Sequence, residues 1–316
     1  MKRYSILISL ITIAGTISAQ QIAPNNQYLV NRFSLSPAYA GYTGNFETFF
    51  GIRHDWKDIP GSSFTKTINI NSPVGRNMGL GGSIETESIG IFNSLNANLA
   101  YAYRLSFSEK QSITFGAYAG LFENHIGLSG TDAQLEMDPV IGMNQALGGA
   151  VFDAGAAVLY RYDHLNFGIA AFRLPGGSID NKSQNESDIY SLSQHFRVHA
   201  SYFYDITNDI RVEPYVVVTN TVTDPIFYEA AALIKYKKFV WLGASYRKNS
   251  IGVSLGATYS RFVMNYTYEF GSGIMAYSGG SHELSVGILI GKNKSTTSQP
   301  SVFRSETDQP YHQWAE

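Results

Sequence analysis

The sequence predicts an all-β fold, a transmembrane antiparallel up-and-down β-barrel of the outer-membrane type with about 14 strands. Three observations predict it. Apolar and polar residues alternate at period two, in segments of about ten residues separated by tight polar breaks. The segment count is even and the longer connections sort to one side by parity, as when both ends of a barrel stay in the periplasm. The apolar faces also end in Tyr, Trp and Phe, whose rings belong where membrane meets water.

The alternation is clearest from Phe239 to Phe270. Val240, Leu242, Ala244 and Tyr246 share one parity, and Gly243, Ser245 and Arg247 the other. After Lys248-Asn249-Ser250 it restarts with Ile251, Val253, Leu255, Ala257 and Tyr259, then continues through Phe262, Met264, Tyr266, Tyr268 and Phe270. A soluble sandwich alternates in the same way, so strand length, strand count and the residues at strand ends decide between them. A soluble barrel would need charge on its outward face. Here the non-apolar parity holds Gly, Ser, Thr, Asn, Arg and Glu, which suit a wet or plugged lumen.

Composition agrees. The 316 residues carry only 15% charged side chains and a net charge of −2, too weak a field to suggest a nucleic-acid partner. With no cysteine there is neither a disulfide framework nor a thiolate metal site. The basic start Met1-Lys2-Arg3, the apolar run Tyr4 to Ala19 and the small residues closing it read as a signal peptide over 1–19, with Sec-type cleavage near Ala19. No other run approaches the ~18 apolar residues of a spanning helix. The predicted location is the outer membrane, in contact with its lipid.

In order, residues 20–45 form an irregular arm, periplasmic or luminal, with Pro24 and Pro37. The barrel spans 46–291. Its strands are expected near Phe46–Trp56, Phe64–Asn71, Met78–Thr86, Leu95–Leu105, Ile113–Leu121, Ala150–Tyr160 and Leu165–Phe172, then Phe196–Tyr204, Ile210–Val218, Phe227–Tyr236, Phe239–Tyr246, Ile251–Tyr259, Phe262–Phe270 and His282–Ile290. Glu123–Leu147 and Leu174–Ser193 are long loops, and 292–316 is a polar tail. Two residues resist the pattern. Lys66 has the lipid-facing parity, so it belongs near a rim or marks a register slip, and Pro214 calls for a bulge or an unpaired position.

Chemistry is sparse, and neither an enzyme nor a cofactor is expected. A hydrolase-like trio of His54, Asp55 and Ser62 or Ser63 would need a third group orienting the imidazole. Asp132, Glu136 and Asp138 offer oxygen ligands for Ca²⁺, but their spacing fits no twelve-residue calcium loop, so a solvated acidic loop is preferred. The luminal charges Arg53, Asp55, Glu85, Arg197, Glu213, Arg247 and Glu269 could set ion selectivity, and a paired network filling the barrel is preferred.

Several segments carry a resemblance: Ser36-Pro37-Ala38-Tyr39-Ala40-Gly41, Arg53-His54-Asp55-Trp56 with Ile59-Pro60-Gly61, Phe152-Asp153-Ala154-Gly155, Trp241 to Arg247, Tyr266-Thr267-Tyr268-Glu269 and Ser281-His282-Glu283-Leu284. In this order they resemble the PorP/SprF family of type IX secretion outer-membrane proteins, from about Pro24 to Gly291. Ser36 stands where the family often has Asn, and the tail is longer than the family's. The resemblance implies a barrel of the type IX secretion and gliding machinery that docks, or helps export and anchor, a secreted cell-surface cargo such as an adhesin. The expected contacts are Ser36, Pro37, Ala38, Tyr39, Gly41, Arg53, Trp56, Pro60, Gly61, Asp132, Glu136 and Asp138. Alternatives are a passive solute channel and a structural anchor for periplasmic motor components.

Overall fold

A computed structural model describes residues 25–127, 148–179, 190–222, 226–237, 239–248 and 250–291. Fourteen strands are staves of one closed barrel. They are β1 (Phe46–His54), β2 (Phe64–Pro73), β3 (Met78–Ile89), β4 (Phe92–Ser106), β5 (Gln111–Ile126), β6 (Gly148–Tyr162) and β7 (Leu165–Phe172) in the first half. In the second half they are β10 (His195–Tyr202), β12 (Ile210–Thr221), β13 (Phe227–Tyr236), β14 (Val240–Arg247), β15 (Ser250–Tyr259), β16 (Phe262–Gly271) and β17 (Ser281–Ile290). The short β8 (Gly177–Ile179) and β9 (Tyr190–Leu192) pair with each other, and β11 (Tyr204–Asp205) extends the line of β10. Each stave pairs antiparallel with its neighbours; β1 meets β17, and β10 joins β7 to β12, so no edge is left open. A closed ring is the only sheet that satisfies its backbone in lipid.

The outward parity is apolar and exposed: Phe50, Ile52, Leu80, Phe115, Leu242 and Leu255 all lie open, and Leu99 is 77% exposed. So broad an apolar band is tolerated only against hydrocarbon. The hydrophobic core lies inside, where the arm packs on the wall. Its Tyr28, Leu29, Leu35, Ala38, Tyr39 and Tyr42 meet Phe49, Tyr118, Leu159, Tyr215, Leu233 and Trp241.

The all-β reading holds, with local corrections. Strand β3 continues to Ile89, β4 begins at Phe92 and β5 continues to Ile126, so Glu87, Asn93 and Glu123 to His125 lie in strands where loops were expected. At these outer ends polar residues stand on both faces among a few apolar ones, and the alternation that marks a stave fades. Strand β1 stops at His54, and Trp56 sits in the following turn with φ 46°. The hairpin β8–β9 lies inside the second long loop. Lys66 pairs in unbroken register with Ile52 and Thr86, so no slip occurs. Pro214 pairs with Ala232 on one side; on the other, the ladder lapses between Ser201↔Tyr215 and Tyr204↔Val212, so its missing N–H leaves no partner waiting.

The longest connections, residues 127–147 and 173–194, join stave ends opposite Phe46 and Ile290, at Ile126, Gly148, Phe172 and His195, which makes that the outer end. Because the chain lacks cysteine, single introduced thiols report sidedness. Tyr277→Cys, in the β16–β17 connection, is expected to react with a membrane-impermeant maleimide on intact cells. Glu109→Cys, in the β4–β5 turn, should react only after the outer membrane is permeabilised.

Candidate functional site

Residues 25–45 run down the lumen from the outer end, through short 3₁₀ turns at Gln27–Leu29, Arg32–Ser34 and Pro37–Tyr39, and then become β1. The turns form because Asn, Ser and Pro favour local bonds over a ladder; the Ser36 hydroxyl, for example, accepts from the Ala38 N–H at 3.2 Å.

At the outer end, inward parity brings Arg53 of β1, Arg247 of β14, Glu229 of β13, Glu269 of β16 and Glu283 of β17 together, joined by Asp55 just past β1. Arg53 Nη1 lies 2.8 Å from Glu269 and 2.9 Å from Glu283, while its Nε donates to Asp55 at 2.9 Å. Arg247 donates to Glu229 at 2.6 Å and to Glu269 at 2.7 Å. All these side chains are buried.

Two guanidiniums thus face four carboxylates, and the arm supplies the missing donors. The Asn26 backbone N–H reaches both oxygens of Glu283, at 3.0 and 2.8 Å. The Asn26 side-chain amide donates to Glu269, and the Tyr28 hydroxyl donates to Glu229. In return Arg247 Nη2 donates to the Asn25 carbonyl at 2.8 Å and to Asn26 Oδ1 at 2.9 Å. Charge-assisted bonds of this kind are the stronger class. We call this cluster the latch.

Further down, Arg197 donates to the Leu35 carbonyl at 3.1 Å, Asn71 accepts from the Gly41 N–H at 3.0 Å, and the Tyr42 hydroxyl donates to Asn166 at 2.8 Å. The wall makes room with glycine. A Cβ on Gly116 would fall on the backbone of Ala38, and one on Gly79 on the carbonyl of Ala40.

The sequence pattern of the family described as "Type IX secretion system membrane protein PorP/SprF" matches residues 17–288. The chain belongs to the PorP/SprF family. No curated protein matches it. Among solved structures, a "CymD monoaromatic hydrocarbon channel" is 12% identical, covering 88% of this chain and 95% of that one, with a TM-score of 0.48. A "TodX deltaS2S3 mutant monoaromatic hydrocarbon channel" is 10% identical over 85% and 94%, with a TM-score of 0.47. A "KdgM porin" is 11% identical over 77% and 98%, with a TM-score of 0.34. The barrel class rests on the strand pairing of this chain alone. The protein is thus an outer-membrane barrel of the type IX secretion system, associated with the components of that machinery through its family.

Of the residues the sequence singles out, this PorP/SprF barrel brings Arg53 into the latch and buries Ser36, Pro37, Ala38, Tyr39 and Gly41 in the lumen. Trp56, Pro60 and Gly61 lie in the β1–β2 connection at the outer mouth, where Pro60 and Gly61 are exposed. That connection is sewn to the next one by Lys57 N–H to the Gly280 carbonyl and Asp58 N–H to the Ser278 carbonyl, both 3.1 Å. Asp132, Glu136 and Asp138 lie outside the described residues. Sequence reasoning missed Asn26, Tyr28, Glu229 and Glu283. The available signal was Glu229 and Glu283 on the inward parity in a chain with few charges.

The hydrolase-like trio does not assemble. His54 Nε2 lies 3.2 Å from Ser62 Oγ, but Asp55 is held by Arg53, and Ser63 donates to Glu87 at 2.6 Å. Gly252-Val253-Ser254-Leu255-Gly256 spells the nucleophile-elbow pattern G-x-S-x-G, yet Ser254 is fully buried mid-strand in β15 and bonded to Thr267 at 2.7 Å.

Removing Arg53 takes a guanidinium contact from three carboxylates, Asp55, Glu269 and Glu283, leaving the last two only their remaining partners. Arg53→Ala is expected to cost about 3–5 kcal/mol, read as a lower temperature for the heat-induced gel-mobility shift of the folded barrel. Gly116→Val drives a side chain into the arm's backbone, and should lower the same temperature by an amount consistent with about 1–3 kcal/mol.

Proposed function

We propose that this PorP/SprF barrel docks a secreted, adhesin-like protein at its outer mouth and helps export and anchor it at the cell surface. The observation that carries the reading is the filled lumen. From Asn26 to Tyr42 the arm is packed against the wall and latched at its outer end, so the surface left for a macromolecule is the mouth itself. The docking surface we assign comprises the connection bearing Trp56, Pro60 and Gly61, the outer end of the arm and the acidic stretch with Asp132, Glu136 and Asp138. Ser36, Pro37, Ala38, Tyr39 and Gly41 contribute by seating the arm, and Arg53 by latching it. Export to this position uses Sec-type cleavage near Ala19.

A passive solute channel needs an open lumen, and the arm's aromatic packing disfavours it. Two measurements on the same preparation separate the readings. In planar bilayers the purified protein should give no steady conductance, whereas a variant lacking residues 25–42 should conduct. In intact cells, crosslinking followed by partner identification should recover a secreted surface protein, and Pro60→Arg with Gly61→Arg should reduce that yield. A steady open pore in the unaltered protein, with no recovered surface protein, would favour the channel.

A further inference from the structure

The lipid-facing side of the barrel carries a second feature, independent of the mouth. Among the described residues of the staves, the only charged or imidazole side chains on the outward parity are His54, Lys66, Glu123, His125 and His282. Every one lies in the outer part of its strand. Glu123 and His125 pair with each other at 2.6 Å on β5. The other three form one group on the adjacent staves β17, β1 and β2. His282 stands opposite His54, His54 opposite Phe64, and Lys66 one outward position further in, opposite Ile52.

A lone lysine is costly at the bilayer midplane and nearly free near an interface. Lys66 bends toward the interface: its Nζ lies 5.4 Å from the ring centroid of Phe64, two residues nearer the outer end. Among the described residues it has no carboxylate partner. On its two flanks stand Ile52 and Thr86, neither of which bears a charge. Each imidazole spends one ring nitrogen on a hydroxyl, His54 on Ser62 at 3.2 Å and His282 on Tyr266 at 2.7 Å. Among the described residues the second nitrogen of each makes no hydrogen bond, and it remains for an outside ligand. Tyr268 flanks His282, ring centroids 4.9 Å apart, and fixes the depth as that of the aromatic girdle.

The group therefore combines one ammonium and two imidazoles, at headgroup depth, on the lipid-facing wall. Such donors match a tetrahedral oxyanion, and basic groups at headgroup level are how membrane proteins select anionic lipids. We infer that Lys66, His54 and His282 form a binding site for the phosphate of an outer-leaflet glycolipid headgroup. The site would hold the β17–β1–β2 sector, where the barrel closes, at a fixed depth.

The test is a native mass-spectrometry titration of the purified protein with diphosphoryl lipid A, dephosphorylated lipid A and inorganic phosphate. Diphosphoryl lipid A should bind, and Lys66→Gln combined with His282→Gln should weaken it about tenfold or more. Lys66→Arg should retain binding, which separates loss of charge from loss of fold. Lys110→Gln, in an exposed periplasmic turn, should change nothing. Equal binding by the double variant, or equal affinity for dephosphorylated lipid A, would overturn the site. Binding of inorganic phosphate without retention of lipid A would overturn its assignment to a lipid.

Discussion

The structure depends on an imbalance of charge inside the outer end of the barrel. Arg53 and Arg247 cannot neutralise Asp55, Glu229, Glu269 and Glu283, and an uncompensated buried carboxylate is costly. The arm's amides and phenol answer that deficit: Asn26 N–H, Asn26 Nδ2 and Tyr28 O–H each end on one of these carboxylates. The wall without the arm would hold repelling acids, and the arm without the wall would leave its polar groups in an apolar cluster. Each half supplies donors and acceptors that the other lacks, so the two pack as one unit.

Below the latch the logic changes from charge to shape. A barrel of about eight staves fills its interior with wall side chains, and one of 16–18 leaves an aqueous channel. With fourteen staves, the wall alone leaves a space that something must fill. The arm fills it with Leu35, Ala38, Tyr39 and Tyr42, seated against Gly79 and Gly116 where the wall has no side chain. The family segment from Ser36 to Gly41 is thus explained by fit: Gly41 has φ 66°, and the backbone from Pro37 to Ala40 passes where a Cβ on the wall would collide.

The staves were legible because each has one face in lipid, and that face must be apolar at every second residue. The same reasoning fails where the constraint lapses. Glu87, Asn93 and Glu123 lie at outer strand ends where polar residues stand on both faces, so little in their neighbourhood distinguishes strand from loop. Lys66 read as an anomaly because depth is not encoded in parity, and the paired registers of β1, β2 and β3 were needed to place it. The latch was legible only in part. Arg53, Arg247 and Glu269 could be assigned to the lumen by parity, but the bond from Asn26 to Glu283 spans 257 positions and joins an irregular segment to the last stave. No local pattern reports a contact of that range.

What fills the lumen also bears on what the barrel is for. A conducting pore keeps polar side chains along its path and leaves a continuous aqueous column. Here Tyr215, Leu233 and Trp241 point inward from the wall, and Tyr28 and Tyr39 meet them from the arm, with Tyr28 and Tyr215 in edge contact at 5.7 Å. Aromatic surface turned into the lumen opposes water, and carboxylates gathered at the outer end bind the plug in place. The arm enters this arrangement at the outer mouth and leaves it at the inner end as β1, the strand that closes the barrel against β17. Closure of the ring and filling of its interior are therefore properties of one continuous segment. With the lumen taken by this segment, the surfaces left exposed are the connections at the two ends and the lipid-facing wall.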